Sequence, residues 1–199
     1  LGRRCACGPV RPVVAPEFGG PAPVGVVRGR RPAVTSGQVG DRVVLNPGVS
    51  CGQCTACLAG DEVFCRHSGL LGEHRPGTAA EEIVLPARNV ARLDGEVSWA
   101  EAAAFSLASL TAWRMLTTRA RVHAGESVLI WGIGGGVAVA ALQIAPFLGA
   151  HVAVTSGSDA TLARATAFGA ALARQPGRSP DIPAARQANF GLALHVIVH

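Results

Sequence analysis

The sequence predicts an α/β protein in which a β-rich segment with a metal-binding loop precedes a doubly wound parallel sheet. Three observations carry this. Cys51, Cys54, Cys57 and Cys65 crowd into one loop, and Gly132-Ile-Gly-Gly-Gly136 sits between an apolar strand-like run and a helical run. From residue 127 onward, strand and helix patterns alternate in the rhythm of a parallel sheet.

Composition narrows the function classes. With 199 residues, 49% hydrophobic and 16% charged, the chain has enough apolar content to fold. Its 25 glycines and 13 prolines follow no collagen period and point to a loop-rich α/β or β protein instead of a helical bundle. The net charge of +5 is concentrated at the start: residues 1–31 hold six arginines and one acid, whereas residues 32–199 balance 12 basic against 12 acidic side chains. A basic surface tracking a nucleic-acid backbone is therefore not expected in the body of the protein. Every cation is arginine, which fits a GC-rich coding sequence better than selection for phosphate contacts. The cysteines cluster at metal spacing, not as a disulfide framework, and the start does not read as a cleavable signal peptide, so the expected location is the cytoplasm. Residues 127–158 carry no formal charge and are long enough to span a bilayer, but six glycines, Gln143, Pro146 and His151 interrupt them. A buried strand-helix-strand unit is the better reading, and no membrane association is expected.

Along the chain, residues 1–31 are rich in Arg, Pro, Gly and Val without helix or strand period and begin at Leu1; they are expected to be poorly ordered and incomplete. Short strands are predicted at Asp41–Leu45 and at Glu82–Leu85, the latter closed by Pro86. Ser98 with Glu101 three residues on is a capping-box signature opening a helix to about Thr118. Val128–Trp131 reads as a buried strand, Val137–Leu148 as a helix that Pro146 should kink, and His151–Thr155 as a second strand. Helices at Ala160–Phe168 and Asp181–Asn189 and a strand at Leu194–Val198 complete the pattern. The domain reading is an unmatched segment 1–31, a β domain with the cysteine loop over 32–97, and a linking helix with half of a nucleotide-binding sheet over 98–199.

The cysteines follow C-x2-C-x2-C-x7-C. Four thiolates this close repel one another, and a divalent cation relieves that repulsion; an all-cysteine set of four suits a closed, tetrahedral, structural zinc site with one ion per chain. The bacterial iron–sulfur run needs its fourth cysteine three residues on and then proline, whereas here the gap is seven and no proline follows. A nucleic-acid zinc finger wants basic neighbours, and this loop has Asp61 and Glu62 with only Arg66 beside it. Unmetallated cysteines are the remaining alternative.

The turn Gly132, Ile133, Gly134, Gly135, Gly136, Val137, Ala138 follows a predicted strand and opens a predicted helix. In that context glycines allow a tight turn and close approach to a pyrophosphate at the helix N-terminus, while the last position packs helix on strand. A ribose-reading acid is expected about 20 residues on, where the sequence has Thr155 and Ser156 instead. The hydroxyls of Thr155, Ser156 and Ser158 suit a 2′-phosphate, so NADP(H) is preferred over NAD(H). No arginine is adjacent in sequence, Arg164 lies further into the next helix, and Asp159 reads as a helix start.

Together, VGDRVVLNPGVSCGQC, GLLGEHRPGT, VLPARNV, LTAWRMLTTRARVHAGESVLIWG and ALQIAPFLGAHVAVTSGSD resemble the medium-chain dehydrogenase/reductase superfamily, in particular its zinc-binding alcohol dehydrogenase and quinone oxidoreductase-like members. The resemblance covers about Pro32 to His199. It implies a GroES-like β domain with a structural-zinc lobe, a partial Rossmann domain, and an NAD(P)H-dependent oxidoreductase acting on a small-molecule substrate. It implies that Cys51, Cys54, Cys57 and Cys65 hold the zinc, that Gly135, Gly136 and Ala138 face the pyrophosphate, and that Thr111 contacts the nicotinamide side.

Departures refine the expectation. The family's later catalytic-zinc cysteine falls on Leu107, and the nearest echo of its Gly-His-Glu motif is Ala15-Pro16-Glu17, out of register and with proline for histidine. Cys5 and Cys7 have no assigned role. The resemblance therefore implies hydride transfer to or from a carbonyl, quinone or activated alkene without a catalytic zinc, by an enzyme that is a homo-oligomer when full length. No proton donor is identified, since His67 and His74 are loop histidines of the kind usually just solvated. The alternative is a truncated, non-catalytic zinc-binding fragment of such an enzyme.

Overall fold

The computed structural model describes residues 9–14, 24–30, 37–175 and 192–195, the first and last of these by backbone alone. They form two compact units, Leu1–Leu107 and Ala108–His199.

In the first unit the strands are β1 (Pro9–Val14), β2 (Val24–Arg30), β3 (Arg42–Leu45), β4 (Gly48–Val49), β5 (Gly69–Leu70), β6 (Ile83–Pro86) and β7 (Val90–Arg92). Five build an antiparallel sheet in the order β6-β1-β2-β3-β7, and β4 pairs with β5 as a separate two-stranded ribbon. A one-turn helix, α1 (Thr55–Leu58), lies between β4 and β5.

For residues 9–14 and 24–30 the expectation of poor order is corrected here, because β1 and β2 are integral to the sheet; the rest of 1–31 lies outside the described residues. Strand β2 hides its period by being buried on both faces. Val27 joins Val43, Leu45, Val49, Leu71 and Leu85 in one core, while Val24 packs with Ala102 and Ala103 in another. Apolar-in, polar-out alternation is lost in such a strand. In β1, Pro12 has no N–H for the ladder, and the β1–β6 register shifts between Val10 and Val13, where that missing donor falls.

Helix α2 (Trp99–Trp113) starts as the capping box predicts: Glu101 N–H donates to Ser98 Oγ at 3.2 Å, and Ser98 N–H donates back to the Glu101 carboxylate at 3.0 Å. It continues as a π-helical stretch over Arg114–Arg119. The boundary between units falls at Leu107, inside α2, and not at residue 97. Trp99, Ala102 and Ala103 pack with Val24, Val44 and Leu93, so the first turns of the helix complete the first unit.

The second unit contains β8 (Ser127–Trp131), α3 (Gly136–Phe147), β9 (His151–Thr155), α4 (Asp159–Ala167), β10 (Leu172–Arg174) and β11 (Leu192–His195). Its sheet is parallel throughout, in the order β10-β9-β8-β11. Val128, Ile130, Val152 and Val154 meet Ala138, Ala141, Leu142 and Ala145 of α3 and Leu162 and Ala165 of α4. The uncharged run of the sequence is thus cut into strand, turn, helix and strand, and no helix of the described residues is long and apolar enough to cross a membrane. Pro146 sits one residue before the end of α3, so it withholds one donor, that due to the Leu142 carbonyl, in the last turn of the helix. The predicted helix Asp181–Asn189 lies outside the described residues, as do the last residues of the predicted strand Leu194–Val198.

The Ser98 hydroxyl, and then its backbone N–H, hold the Glu101 carboxyl below the ordinary carboxylate range. A carboxyl whose pKa is lowered on folding stabilises the fold above its unfolded pKa, and that contribution disappears as pH falls through the folded value. Ser98→Ala should therefore raise the Glu101 pKa in an NMR titration and flatten the acid limb of stability against pH.

Candidate metal centre and nucleotide turn

The cysteine loop is closed at its root by the ribbon β4–β5, which pairs Gly48 with Leu70 and Val49 with Gly69. That pairing brings Cys51 and Cys65 together just beyond it. Cys54 precedes α1 and Cys57 lies within it, and a 3-10 turn at Glu62–Phe64 delivers Cys65. Gly52 takes φ +74°, the left-handed conformation that turns the chain sharply after Cys51. Neither α1 nor the 3-10 turn buries a single residue.

All four sulfurs lie within 4.8 Å of one another. Cys51 Sγ is 3.8 Å from Cys57 Sγ, and Cys54 Sγ is 3.5 Å from Cys57 Sγ. An ion with metal–sulfur bonds of about 2.3 Å in a tetrahedron requires sulfur–sulfur edges of about 3.8 Å, so this donor set fits a zinc-sized cation. Backbone N–H groups of Cys51 and His67 each donate to Cys65 Sγ at 3.4 Å.

The thiols compete for protons. The backbone N–H groups of Gln53 and Cys54 draw the Cys51 thiol down to about 6, against the opposing pull of desolvation. At Cys54 the N–H of Cys57 acts downward, but the Cys57 sulfur, desolvation and the sulfurs of Cys51 and Cys65 outweigh it and push that thiol up to about 11. Desolvation opposes ionisation of Cys57, yet the Gly52 N–H and the neighbouring sulfurs lower it overall. Cys51 is thus the readiest of these thiols to ionise and Cys54 the most reluctant.

In the second unit the glycine turn lies at the junction of β8 and α3, as predicted. Gly132 adopts φ +82°, and a Cβ at Gly134 would meet only open space. Gly135 precedes α3 without a side-chain cap, so the N-terminal N–H groups of that helix are left for another acceptor. A Cβ at Gly136 would sit 3.5 Å from the Ala108 side chain, where α2 approaches the turn. Val137 is half-buried, and Ala138 is fully buried against the strands. Ala138 therefore contributes helix-on-strand packing by its side chain and can face a ligand only by its backbone.

A scan for family likeness matches residues 6–95 to the alcohol dehydrogenase GroES-like domain. The crystal structure of an NAD-dependent alcohol dehydrogenase superposes with a TM-score of 0.80 at 40% identity, over 92% of this chain and 60% of that one. The chain belongs to the medium-chain dehydrogenase/reductase superfamily. Similar members include an L-threonine 3-dehydrogenase of Anaeromyxobacter sp. (strain Fw109-5), 37% identical over 81% of this chain and 45% of that protein. An alcohol dehydrogenase of Geobacillus stearothermophilus is 34% identical over 84% of this chain and 49% of its own length. The chain thus spans about half the length of these relatives.

Within this dehydrogenase fold, the GroES-like first unit carries the sulfur cluster and the partial Rossmann sheet of the second carries the glycine turn. The family match begins at residue 6, which also corrects the reading of residues 1–31 as unmatched. Thr111 is half-buried on α2, one turn beyond Ala108. Ser156 is half-buried and Ser158 exposed; Ser156 Oγ accepts from Ser158 N–H at 3.2 Å, and Ser158 Oγ caps α4 by accepting from Thr161 N–H at 3.4 Å. Each hydroxyl keeps its own proton to donate.

Thr155 is a correction. It is 2% exposed, its Oγ1 accepts from Gly132 N–H at 2.9 Å, and its carbonyl accepts from Ile133 N–H at 2.8 Å. Its place is under the glycine turn as a brace, not beside a phosphate. His67 and His74 are exposed, and His74 Nδ1 accepts from Leu70 N–H within its own loop. Ala15-Pro16-Glu17 lies outside the described residues.

Sequence reading missed Arg88 and Asn89. Arg88 donates to the Ser50 carbonyl, and Asn89, 3% exposed, donates to the carbonyls of Asn46 and Gly48 at 2.9 and 2.7 Å. Nothing in the local pattern of VLPARNV marks either residue, since their partners lie about forty positions away.

Replacing Thr155 by valine removes the acceptor but keeps the shape, leaving the Gly132 N–H unmatched. Because Gly132 is itself exposed and its N–H can turn to water, the loss of one ordinary hydrogen bond, about 0.5–1.5 kcal/mol, is expected, read as a lower urea midpoint with unchanged slope.

Proposed function

We propose that this chain is part of an NAD(P)(H)-dependent oxidoreductase that moves hydride to or from a small carbonyl, quinone or activated alkene, with a structural zinc on Cys51, Cys54, Cys57 and Cys65 and no catalytic zinc. The observation that carries the reading is the pairing, in one chain of dehydrogenase family, of a closed four-sulfur cluster with an uncapped glycine turn at a strand-to-helix junction. All four sulfurs are spent on one ion, so no position of that site is open to substrate. Leu107 cannot ligate, and the nearest echo of the family's Gly-His-Glu motif, Ala15-Pro16-Glu17, is out of register and has proline for histidine. Relatives named as L-threonine 3-dehydrogenase and alcohol dehydrogenase support chemistry at a carbinol or carbonyl carbon.

The nucleotide cofactor, when bound, supplies or accepts the hydride. The role of this chain is to hold and orient it. Gly132, Gly134, Gly135, Gly136 and the backbone of Val137 and Ala138 would cradle the pyrophosphate, Ser156 and Ser158 the adenosine ribose, and Thr111 the nicotinamide side. Ser156 and Ser158 bring hydroxyls where a carboxylate would repel a 2′-phosphate, which supports NADP(H) over NAD(H). The carboxylate of Asp159 accepts from the Gln175 amide. The clustered free thiols support a reducing, cytoplasmic setting and a homo-oligomeric full-length protein is in keeping with the family.

The test is metal analysis with calorimetric cofactor titration of the purified chain. About one zinc per chain is expected, with NADPH binding more tightly than NADH. Two zincs per chain would restore a catalytic metal. Zinc without response to either nucleotide at millimolar concentration would favour a non-catalytic metal-binding protein.

A further inference from the structure

The geometry points to Arg88 as a positioning residue of the metal lobe, a side chain from outside the cysteine loop that fastens the turn carrying Cys51 and so governs how long the ion is held; this rests on the zinc reading above. The segment 46–50 leads from the sheet into the lobe. Its carbonyls at Asn46, Gly48 and Ser50 occur at alternate positions, as along the edge of a strand, and all three are taken by side chains from one short 3-10 turn, Ala87–Asn89. Asn89 takes the first two and Arg88 the third. Strand β3 and β7 pair just before, with Asn46 N–H donating to the Asn89 carbonyl at 2.8 Å, so the fastening continues the sheet ladder by side chains where the strands part.

Arg88 reaches furthest toward the sulfurs. Its guanidinium lies against Gly52, and a Cβ on that glycine would overlap it. Ser50, whose carbonyl it binds, is the residue directly before Cys51, and Gly52 directly follows. The cation therefore bears on both sides of one ligand. A four-thiolate site for a divalent ion has a net negative charge, which a guanidinium at its margin also favours. α1 and the Glu62–Phe64 turn bury nothing, so beside the burial of Ser50 and Cys51 and the Cys51 N–H bond to Cys65 Sγ, Arg88 adds a fastening of the Cys51 turn from outside the loop. Groups that orient metal ligands from outside the first coordination layer typically change metal affinity by about 10–100-fold.

The experiment measures zinc release from the intact chain to a chromogenic chelator, with the cobalt-substituted protein as a spectroscopic control. Arg88→Ala should speed release about tenfold or more while leaving the tetrahedral four-sulfur cobalt spectrum in place. Arg88→Lys should fall between, since an ammonium restores charge but not the planar fork. Arg88→Gln serves if the alanine variant folds poorly. Arg66→Ala removes an exposed cation directly beside Cys65 and should leave release unchanged. Gly52→Ala should also speed release, and by less in the Arg88→Ala background, because the methyl then meets no guanidinium. Release from Arg88→Ala within twofold of the parent, or an equal effect of Arg66→Ala, overturns the role of Arg88 while leaving the zinc reading intact. A parent protein that takes up no zinc overturns the zinc reading itself.

Discussion

The first unit depends on bringing four sulfurs within 4.8 Å of each other in a loop that has no hydrophobic core of its own. The α1 turn and the 3-10 turn between Cys54 and Cys65 bury no side chain, and Leu58, Val63 and Phe64 are all more than half exposed. Apolar burial therefore cannot supply the free energy that orders this stretch. What orders it is attachment at the ends: the β4–β5 ribbon, the Asn89 and Arg88 bonds to segment 46–50, and the sulfur cluster at the centre. Of these, only the cluster acts within the loop, and it does so fully only with a cation to offset thiolate charge. On the proposed zinc reading, metal binding and folding of the lobe would be one equilibrium.

The second unit solves a different problem, how to bring backbone elements close to one another. Small residues do this throughout. Ala138, Ala141 and Ala145 let α3 lie close on β8 and β9, and Gly136 lets α2 approach at Ala108. The turn is anchored by one side chain, Ile133, buried in the core, and Thr155 from the end of β9 braces it through two bonds, one to Gly132 and one to Ile133. A residue that sequence position alone marks as a ribose contact is thus used to shape the loop that the nucleotide would meet. Ser156 and Ser158, beyond the end of the strand, retain the exposure that a ligand contact requires.

Much of this was legible in the sequence because it is encoded locally. The C-x2-C-x2-C-x7-C spacing, the Ser98–Glu101 capping box and the glycines between β8 and α3 each declare themselves within a few residues, and each holds in the structure. The failures have a common cause in long-range context. Strand β2 is buried on two faces by partners from β3, β6 and α2, which erases the period-two pattern, and Pro12 disguises β1 although a register shift accommodates it. The break between units falls inside α2 because its first turns face Val24 and Leu93 whereas Ala112 and Leu116 belong to the other core. Thr155 and Arg88 have their roles fixed by partners 23 and 38 positions away, which no local pattern reports.

The most direct test of the central claim is zinc-edge X-ray absorption on the purified chain. The account predicts a single shell of four sulfurs at about 2.3 Å with no nitrogen or oxygen neighbour. A mixed shell containing nitrogen or oxygen, or a chain purified without zinc that gains none when it is offered, would contradict it.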